Sequence, residues 1–416
     1  MAALRTMDVG RLRGRAVTRD PDEPYRASTP LELFFDLTFV VAVARASAAL
    51  HHELAGGHVA DGVWGFVGVF FAVWWAWMNA TWFASAHDAD DVPYRLLMLL
   101  QMAGVLVLAI GVTEALEDGD WLVVTLGYGV MRVGLAASWL RVARDEVTGR
   151  TRALRYAVGI SALQLLWFAR LALPTEDARL AGFLVLVVAE LAVPVWAERA
   201  AGAPVFHAGH IEERYGLFTI IVLGESVLSA SVGFQAALDE GGLTADLFAV
   251  GVGGLVLAFT SWWLYFDHPG HMRPRRDQSF RWGYAHVVIF ASLAAMGAGL
   301  QVATEAVTGH GDVRTAALAV AVPVAGYLLG LALVMMVTGT PPNDERVYPK
   351  FGGAAAVLVI GALSPVAAAV AGSAAVMVVL ATWMVLTGDG PGTRVAVGSE
   401  RDGFEDLDRA APTRGL

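Results

Sequence analysis

The sequence has no cysteine, one lysine and few charged residues of any kind. Without cysteine it has no disulfide, no thiolate metal ligand and no thiol nucleophile. Charged residues make up 16% of the 416 positions, well below the roughly 25% of a soluble domain. Every basic residue except Lys350 is an arginine. So little charge cannot cover a water-exposed surface, so much of the surface must face lipid.

Long apolar segments make up most of the chain, and 56% of its residues are hydrophobic. A bilayer core of about 30 Å requires about 20 apolar residues of helix. Twelve segments meet this requirement: 31–50, 62–83, 94–115, 121–142, 152–173, 180–199, 211–234, 245–266, 283–304, 314–338, 351–370 and 372–388. We therefore expect an all-α, polytopic integral membrane helical bundle with about twelve transmembrane helices. The last two spans are short and meet at Gly372–Ser373, so ten spans and a re-entrant hairpin are the alternative.

The distribution of arginines predicts the orientation. Residues 1–30 contain six arginines and no apolar core of signal-peptide length, and the basic residues of the loops lie mainly in alternate ones. The intervening loops carry mainly acids, such as Glu117 and Asp118. This is the positive-inside pattern. It predicts a bacterial inner-membrane protein with a cytoplasmic amino-terminal tail (1–30) and a disordered cytoplasmic carboxy-terminal tail (389–416).

Short sequence matches indicate an internal duplication. Trp74–Trp75 match Trp262–Trp263, and Thr113-Glu114-Ala115 match Thr304-Glu305-Ala306. Both halves would start on the cytoplasmic side, so the repeat would be parallel, with six helices in each half. Residues 31–199 are then expected to superpose on residues 211–388 by rotation about an axis along the membrane normal. Chance similarity between apolar helices is the alternative.

The first span begins with two acids. Glu32 and Asp36 are four residues apart and therefore share one helix face. Glu32 fits a first-turn residue that is solvated at the membrane interface and complements the helix dipole. Asp36 lies a turn deeper in an apolar run, where an acid normally faces a polar interior. Asp36 is therefore a candidate functional residue.

The seventh span carries the second candidate group. Arg214 and Glu225 are eleven residues apart, so they share a face but are separated by about 16 Å along the axis. The predicted topology brings the polar residues at the starts of the first, seventh and ninth spans and at the end of the eighth to the cytoplasmic side. Glu225 lies deeper, beside Gly224, where a neighbouring backbone could approach closely. The resulting hypothesis is a cytoplasm-facing vestibule that binds substrate, lined by Glu32, Asp36, Glu212, Glu213, Arg214, Glu225, Asp267 and His286.

Other polar and aromatic residues lie within the spans. Arg45, Arg132 and Glu190 are expected to form ion pairs inside the bundle, because lipid does not accommodate an unpaired charge. The tryptophans of the second and eighth spans are interpreted as interfacial aromatic belts. These are Trp74, Trp75, Trp77, Trp262 and Trp263.

No motif of a known chemistry is present. The pairs His207–His210 and His268–His271 have spacings that a metal could use, but neither is a complete ligand set. There is no phosphate-binding glycine loop, nucleophile elbow or HExxH helix. We therefore predict no catalytic residues, no metal site, no cofactor and no nucleic-acid partner. The expected partners are the lipid bilayer and a small molecule or ion that the sequence does not identify.

Three segments together resemble the bacterial low temperature requirement A (LtrA) family. They are Thr29–Asp36 with the apolar run after it, Glu213-Arg214-Tyr215-Gly216 through Gly224-Glu225-Ser226, and Trp262–Asp267. The resemblance extends over about residues 28–388. It implies a polytopic membrane protein associated with growth in the cold, and it implies no substrate, reaction or cofactor.

Three functions are compatible with these features. A secondary transporter is favoured by the many spans, the repeat and the charges on the first helix of each half. A membrane sensor or cold-adaptation accessory protein without transport is the alternative. A membrane-embedded enzyme that uses the acids and histidines is a third reading.

Overall fold

The computed structural model describes residues 14–20, 23, 26–200, 206–267 and 278–387. The described residues form thirteen α-helices and no β-strand. The helices are α1 (Pro30–Ala55), α2 (Val59–His87), α3 (Val92–Ile110), α4 (Val112–Glu117), α5 (Leu122–Asp145), α6 (Arg150–Leu171), α7 (Glu176–Glu198), α8 (Ala208–Gly241), α9 (Ala245–Phe266), α10 (Ser279–Val307), α11 (Val313–Val337), α12 (Tyr348–Leu363) and α13 (Val366–Leu386).

Ten of these helices are long and apolar enough to cross a membrane. The other three are the six-residue α4, the 16-residue α12, and α6, which has sufficient length but contains four arginines. A helix satisfies its backbone hydrogen bonds internally, which a lipid environment requires. The prediction of an all-helical, multi-pass membrane protein is therefore confirmed.

The boundary between the last two predicted spans is wrong. The chain breaks at Ser364 and Pro365, not at Gly372–Ser373. Proline has no backbone N–H and forces the residue before it into an extended conformation, as Ser364 is (φ −107°, ψ 153°). Gly372 lies inside α13, where it packs against Ile360 of α12.

Helices α1 and α8 meet at the centre of the molecule. The most extensive contacts in the bundle are between α10 and α11 and between α3 and α5. Helix α1 packs against α2 and α3 on one side and against α8 and α10 on the other. Any charge on the facing sides of α1 and α8 is therefore buried by protein and not exposed to lipid.

The described part of the amino-terminal tail is docked onto the bundle. The backbone N–H of Ala16 donates to Asp145, that of Thr18 to Glu146, and that of Arg19 to the carbonyl of Ala86. These contacts cover the end of the bundle where α2 and α5 finish. We call this the proximal end and the opposite one the distal end. Residues 389–416, predicted to be disordered, lie outside the described residues.

Candidate functional site

A buried ion pair joins α1 to α8. The guanidinium of Arg214 donates to both carboxylate oxygens of Asp36, from Nε at 2.7 Å and from Nη2 at 2.5 Å. The indole N–H of Trp77 donates to the same carboxylate at 2.7 Å. Thr81 Oγ1 accepts from Arg214 Nη2 at 3.3 Å. The two-pronged geometry is the strongest that an arginine and a carboxylate can form.

Glu32 lies one turn closer to the proximal end and extends this pair into a cluster. Its Oε1 is 3.2 Å from Arg214 Nη1 and 3.2 Å from His210 Nε2. These are ion-pair distances without the alignment of hydrogen bonds. The other oxygen of Glu32 accepts from the backbone N–H of Thr29, and Thr29 Oγ1 accepts from the N–H of Glu32. This capping box explains why α1 begins here and places Glu32 at the cluster.

Arg26 covers the proximal side of Glu32. Its Nη2 lies 3.4 Å from Glu32 Oε1 and donates to the carbonyl of Ala84 at 2.8 Å, while Nη1 donates to the carbonyl of Ser85. Asp88 is 3.8 Å from the same guanidinium. Burial lowers the pKa of Arg26, whereas burial, and then the charge of Glu32, raises the pKa of Asp88. The segment before α1 thereby neutralises part of the cluster.

The central cluster is sealed and is not an open vestibule. We call its four charged or titratable members the α1–α8 cluster, and each is 0% exposed: Glu32, Asp36, His210 and Arg214. The expectation that Glu32 is a solvated interfacial residue is therefore wrong. Glu32 and Asp36 both face Arg214. Arg26 lies between Glu32 and a third acid, Asp88.

The remaining proximal acids lie around this cluster. Glu213 is half-buried, and its Oε1 accepts from the backbone N–H of Ser28 at 3.3 Å. Glu212 is also half-buried, next to Glu213 in the first turns of α8. Asp267 is half-buried and caps the carboxy-terminal end of α9. The predicted second histidine pair, His268 and His271, lies outside the described residues.

Glu225 and His286 are buried but separate from the Asp36–Arg214 pair. Glu225 is 7% exposed and accepts from Ser229 Oγ at 2.7 Å. A Cβ atom on Gly224 would meet nothing within 4 Å, so the expected close backbone approach is absent. His286 Nδ1 donates to the carbonyl of Trp282 at 2.8 Å, and its ring packs against Tyr215, the residue after Arg214.

A second buried charge cluster lies inside the first half of the chain. Arg132 of α5 pairs with Glu190 of α7. The carboxylate of Glu190 also accepts from Trp75, Trp167 and Tyr128, at 2.9, 3.1 and 3.2 Å. The expectation that Arg132 and Glu190 are ion-paired inside the bundle is confirmed, and the structure shows that they pair with each other.

Two sequence-based interpretations fail at these clusters. Trp74, Trp75 and Trp77 are at most 1% exposed, so they do not form an interfacial belt. Two of them instead donate N–H groups to buried carboxylates, a role that periodicity does not reveal. Arg45 was expected to be paired inside the bundle, but it is exposed on the surface of α1, because it lies on the face opposite Asp36.

Comparisons with known proteins agree with this architecture. The model of the family described as bacterial low temperature requirement A protein (LtrA) matches residues 27–387. An uncharacterized protein of Rhizobium meliloti (strain 1021) is 27% identical over 286 residues, which cover 64% of this chain and 67% of that protein. No solved structure matches the chain. Since the family model spans every described helix and both buried charge clusters, the chain belongs to the bacterial LtrA family.

Proposed function

We propose that the protein is a secondary transporter of the bacterial inner membrane, with twelve spans in two parallel six-helix halves and both termini in the cytoplasm. The observation that carries the proposal is the bidentate pair of Asp36 and Arg214. It connects the first helix of one half to the first helix of the other. In transporters built from repeats, the substrate path lies where the halves meet, and rocking of one half against the other opens it.

The count of twelve follows from treating α3 and α4 as one span broken at Gly111, and from adding α6 and α12. These two helices fall short of the length or composition of an independent span. They nevertheless occupy the same place, fifth, in each half. Helix α6 packs against α5 and α7, and α12 packs against α11 and α13. Each of the two helices therefore packs against the fourth and the sixth span of its half, which supports counting both as spans.

Close helix contacts at matching positions support the repeat. A Cβ atom on Gly134 of α5 would lie 2.6 Å from Cγ of Gln101 in α3. A Cβ atom on Gly326 of α11 would lie 2.6 Å from Oγ of Ser292 in α10. The difference in residue number between Gln101 and Ser292 is the same as that between Glu114 and Glu305, which belong to the matching sequence segments.

A second pair of contacts is related by the same differences in residue number between the two halves. A Cβ atom on Gly127 of α5 would collide with the backbone of Leu108 in α3. Their counterparts, Ala319 of α11 and Gly299 of α10, approach each other just as closely. A duplicated six-helix unit would retain such small-residue contacts, because they set the distance between the two helices.

In this proposal the α1–α8 cluster closes the proximal, cytoplasmic side of the path. Desolvated opposite charges hold two helices together until water or a competing ligand charge reaches them. Glu212, Glu213 and Asp267 form the polar rim outside the cluster, while Glu225 and His286 lie deeper. Together with Glu32, Asp36 and Arg214 they are the proposed substrate-binding residues.

Uptake by reconstituted vesicles tests the proposal. We expect purified protein to accumulate at least one solute from a radiolabelled panel of amino acids, organic acids, amines, sugars and cations, driven by a proton or sodium gradient. Glu225→Gln keeps the shape of the side chain, removes its charge and should abolish that uptake. Glu240→Gln is the matched control, since Glu240 lies on the same helix and is exposed.

Two results would count against the proposal, the first against transport itself and the second against the role of Glu225. The first is the absence of gradient-driven uptake for every solute in the panel. The second is undiminished uptake by Glu225→Gln, which would make Glu225 a structural residue and remove it from the proposed path.

A further inference from the structure

A large cavity opens at the distal end of helices α1 to α7, away from the α1–α8 cluster. It measures about 770 Å³, within the range of small-molecule sites. Its wall is formed by helix ends and their connections at three places: between α1 and α2, between α4 and α5, and between α6 and α7. We call it the distal cavity; the lining residues that matter here are Glu53, Trp64, Trp121, Arg170, Arg179 and Phe183.

Arg170 lies in the wall of the distal cavity. It is 8% exposed, and its guanidinium lies 5.3 to 5.8 Å from the ring centres of Phe183, Trp121 and Trp167. Its Nε donates to the carbonyl of Arg179 at 2.9 Å. Within the described ranges no carboxylate comes within 4.0 Å of Arg170, and its two terminal amino groups make no hydrogen bond. A buried arginine in this state is suited to receive an anion in two-pronged geometry.

Glu53 contributes the opposite charge to the same cavity. It is 5% exposed, and its carboxylate lies 3.5 Å from His58 Nδ1, on a side chain that is itself largely exposed. Gly62 permits this burial, because a Cβ atom there would lie 2.6 Å from Cβ of Glu53. The distal cavity thus contains one buried cationic and one buried anionic side chain.

The distal cavity leads toward the middle of the bundle. A smaller cavity beneath it shares Trp121, Arg170 and Phe183 and is also lined by Tyr128 and Trp167. Both of the latter residues donate to Glu190. A ligand in the distal cavity would therefore be separated from the Arg132–Glu190 pair by one layer of aromatic side chains.

We propose that the distal cavity binds a small zwitterion, an amino-acid-like molecule with one carboxylate and one cationic amine. Arg170 receives the carboxylate, Glu53 the amine, and the aromatic rings cover the apolar part. A simple anion is disfavoured, because the acids that line the cavity outnumber the arginines: they are Glu53, Asp61, Glu117, Asp118 and Glu176. The proposal assigns only ligand binding to the distal cavity, and it requires no residue of the α1–α8 cluster.

Ligand-dependent thermal unfolding of the purified full-length protein tests this site. The panel contains the protein amino acids, 4-aminobutyrate and glycine betaine, and each hit is compared with its deaminated acid and its decarboxylated amine. We expect at least one zwitterion to raise the unfolding temperature, since a ligand that binds only the folded state stabilises it. Each analogue should bind at least about 10-fold more weakly, because one charge-assisted contact is lost.

Substitutions separate the two charges. Arg170→Gln should weaken binding of the zwitterion by about 10- to 100-fold, the effect of one hydrogen bond to a charged group. Arg45→Gln, at an exposed arginine of α1 that does not line the cavity, is the matched control and should bind as the wild type does. Glu53→Gln should weaken binding of the zwitterion but leave binding of the deaminated acid unchanged.

A labelling assay covers the case in which Arg170→Gln does not fold. The chain lacks cysteine, so Trp64→Cys places a single thiol on an exposed residue of the cavity wall. The bound zwitterion should slow its reaction with a thiol reagent. No stabilising zwitterion, equal binding of the deaminated acid, or unchanged binding by Arg170→Gln would each overturn the proposal. Binding without uptake would instead leave this site standing and remove the transport function.

Discussion

At the scale of single residues, neighbouring tryptophans of α2 serve both buried charge clusters. Trp75 donates to Glu190, and Trp77, two residues later and on the other side of the helix, donates to Asp36. Helix α2 is therefore the wall shared by the two clusters. Trp74 is equally buried, but its Nε1 has no hydrogen-bond partner in the described part of the chain.

This difference makes a matched pair of substitutions informative. Trp77→Phe and Trp74→Phe remove the same atoms from buried sites. Only Trp77→Phe also removes a hydrogen bond that is donated to a carboxylate. We expect Trp77→Phe to lower the free energy of unfolding by about 1.5–3 kcal/mol more than Trp74→Phe does. Titration with denaturing detergent, followed by circular dichroism, measures both. Equal losses would show that the bond from Trp77 to Asp36 contributes little.

At the scale of helices, small residues decide how closely neighbours pack. In a membrane no hydrophobic force drives helices together, so close packing between them matters more than in water. Helices α3 and α5 meet at Gly127, where an added Cβ atom would overlap the backbone of Leu108. At Gly224 of α8, in contrast, an added Cβ atom would meet nothing within 4 Å.

Gly127→Ala and Gly224→Ala should therefore have opposite effects on stability. Overpacking at Gly127 must shift backbone, which costs about 1–3 kcal/mol. At Gly224 the alanine side chain fits, and better helix propensity adds up to about 1 kcal/mol. The same detergent titration distinguishes them. A Gly127→Ala protein as stable as the wild type would mean that α3 and α5 are less tightly packed than described.

At the scale of the whole molecule, orientation in the membrane decides which side each site faces. The arginine distribution predicts that the α1–α8 cluster lies near the cytoplasm and that the distal cavity opens outside. A path between them would run from an open distal cavity to a sealed proximal cluster. This arrangement would be an outward-open state of an alternating-access cycle.

Single-cysteine labelling tests the orientation. Glu117→Cys, at the last residue of α4, should react with an impermeant thiol reagent added to intact cells. Val147→Cys, in the connection from α5 to α6, is also exposed but should react only after the membrane is broken. The cysteine-free parent protein provides the background signal. Labelling in the reverse order would place the termini outside.

The sequence by itself determined the membrane class, most of the helices and the family, because hydrophobic length and short motifs are local properties of the chain. It also indicated that Asp36, Arg214 and Glu225 face the interior of the bundle. It did not reveal that Arg214 pairs with Asp36, 178 residues away, or that the α2 tryptophans are buried donors. Only the tertiary structure decided these partners and the burial of Glu32. Lipid and a protein interior are both apolar, so hydropathy does not distinguish a face that packs from a face that touches lipid.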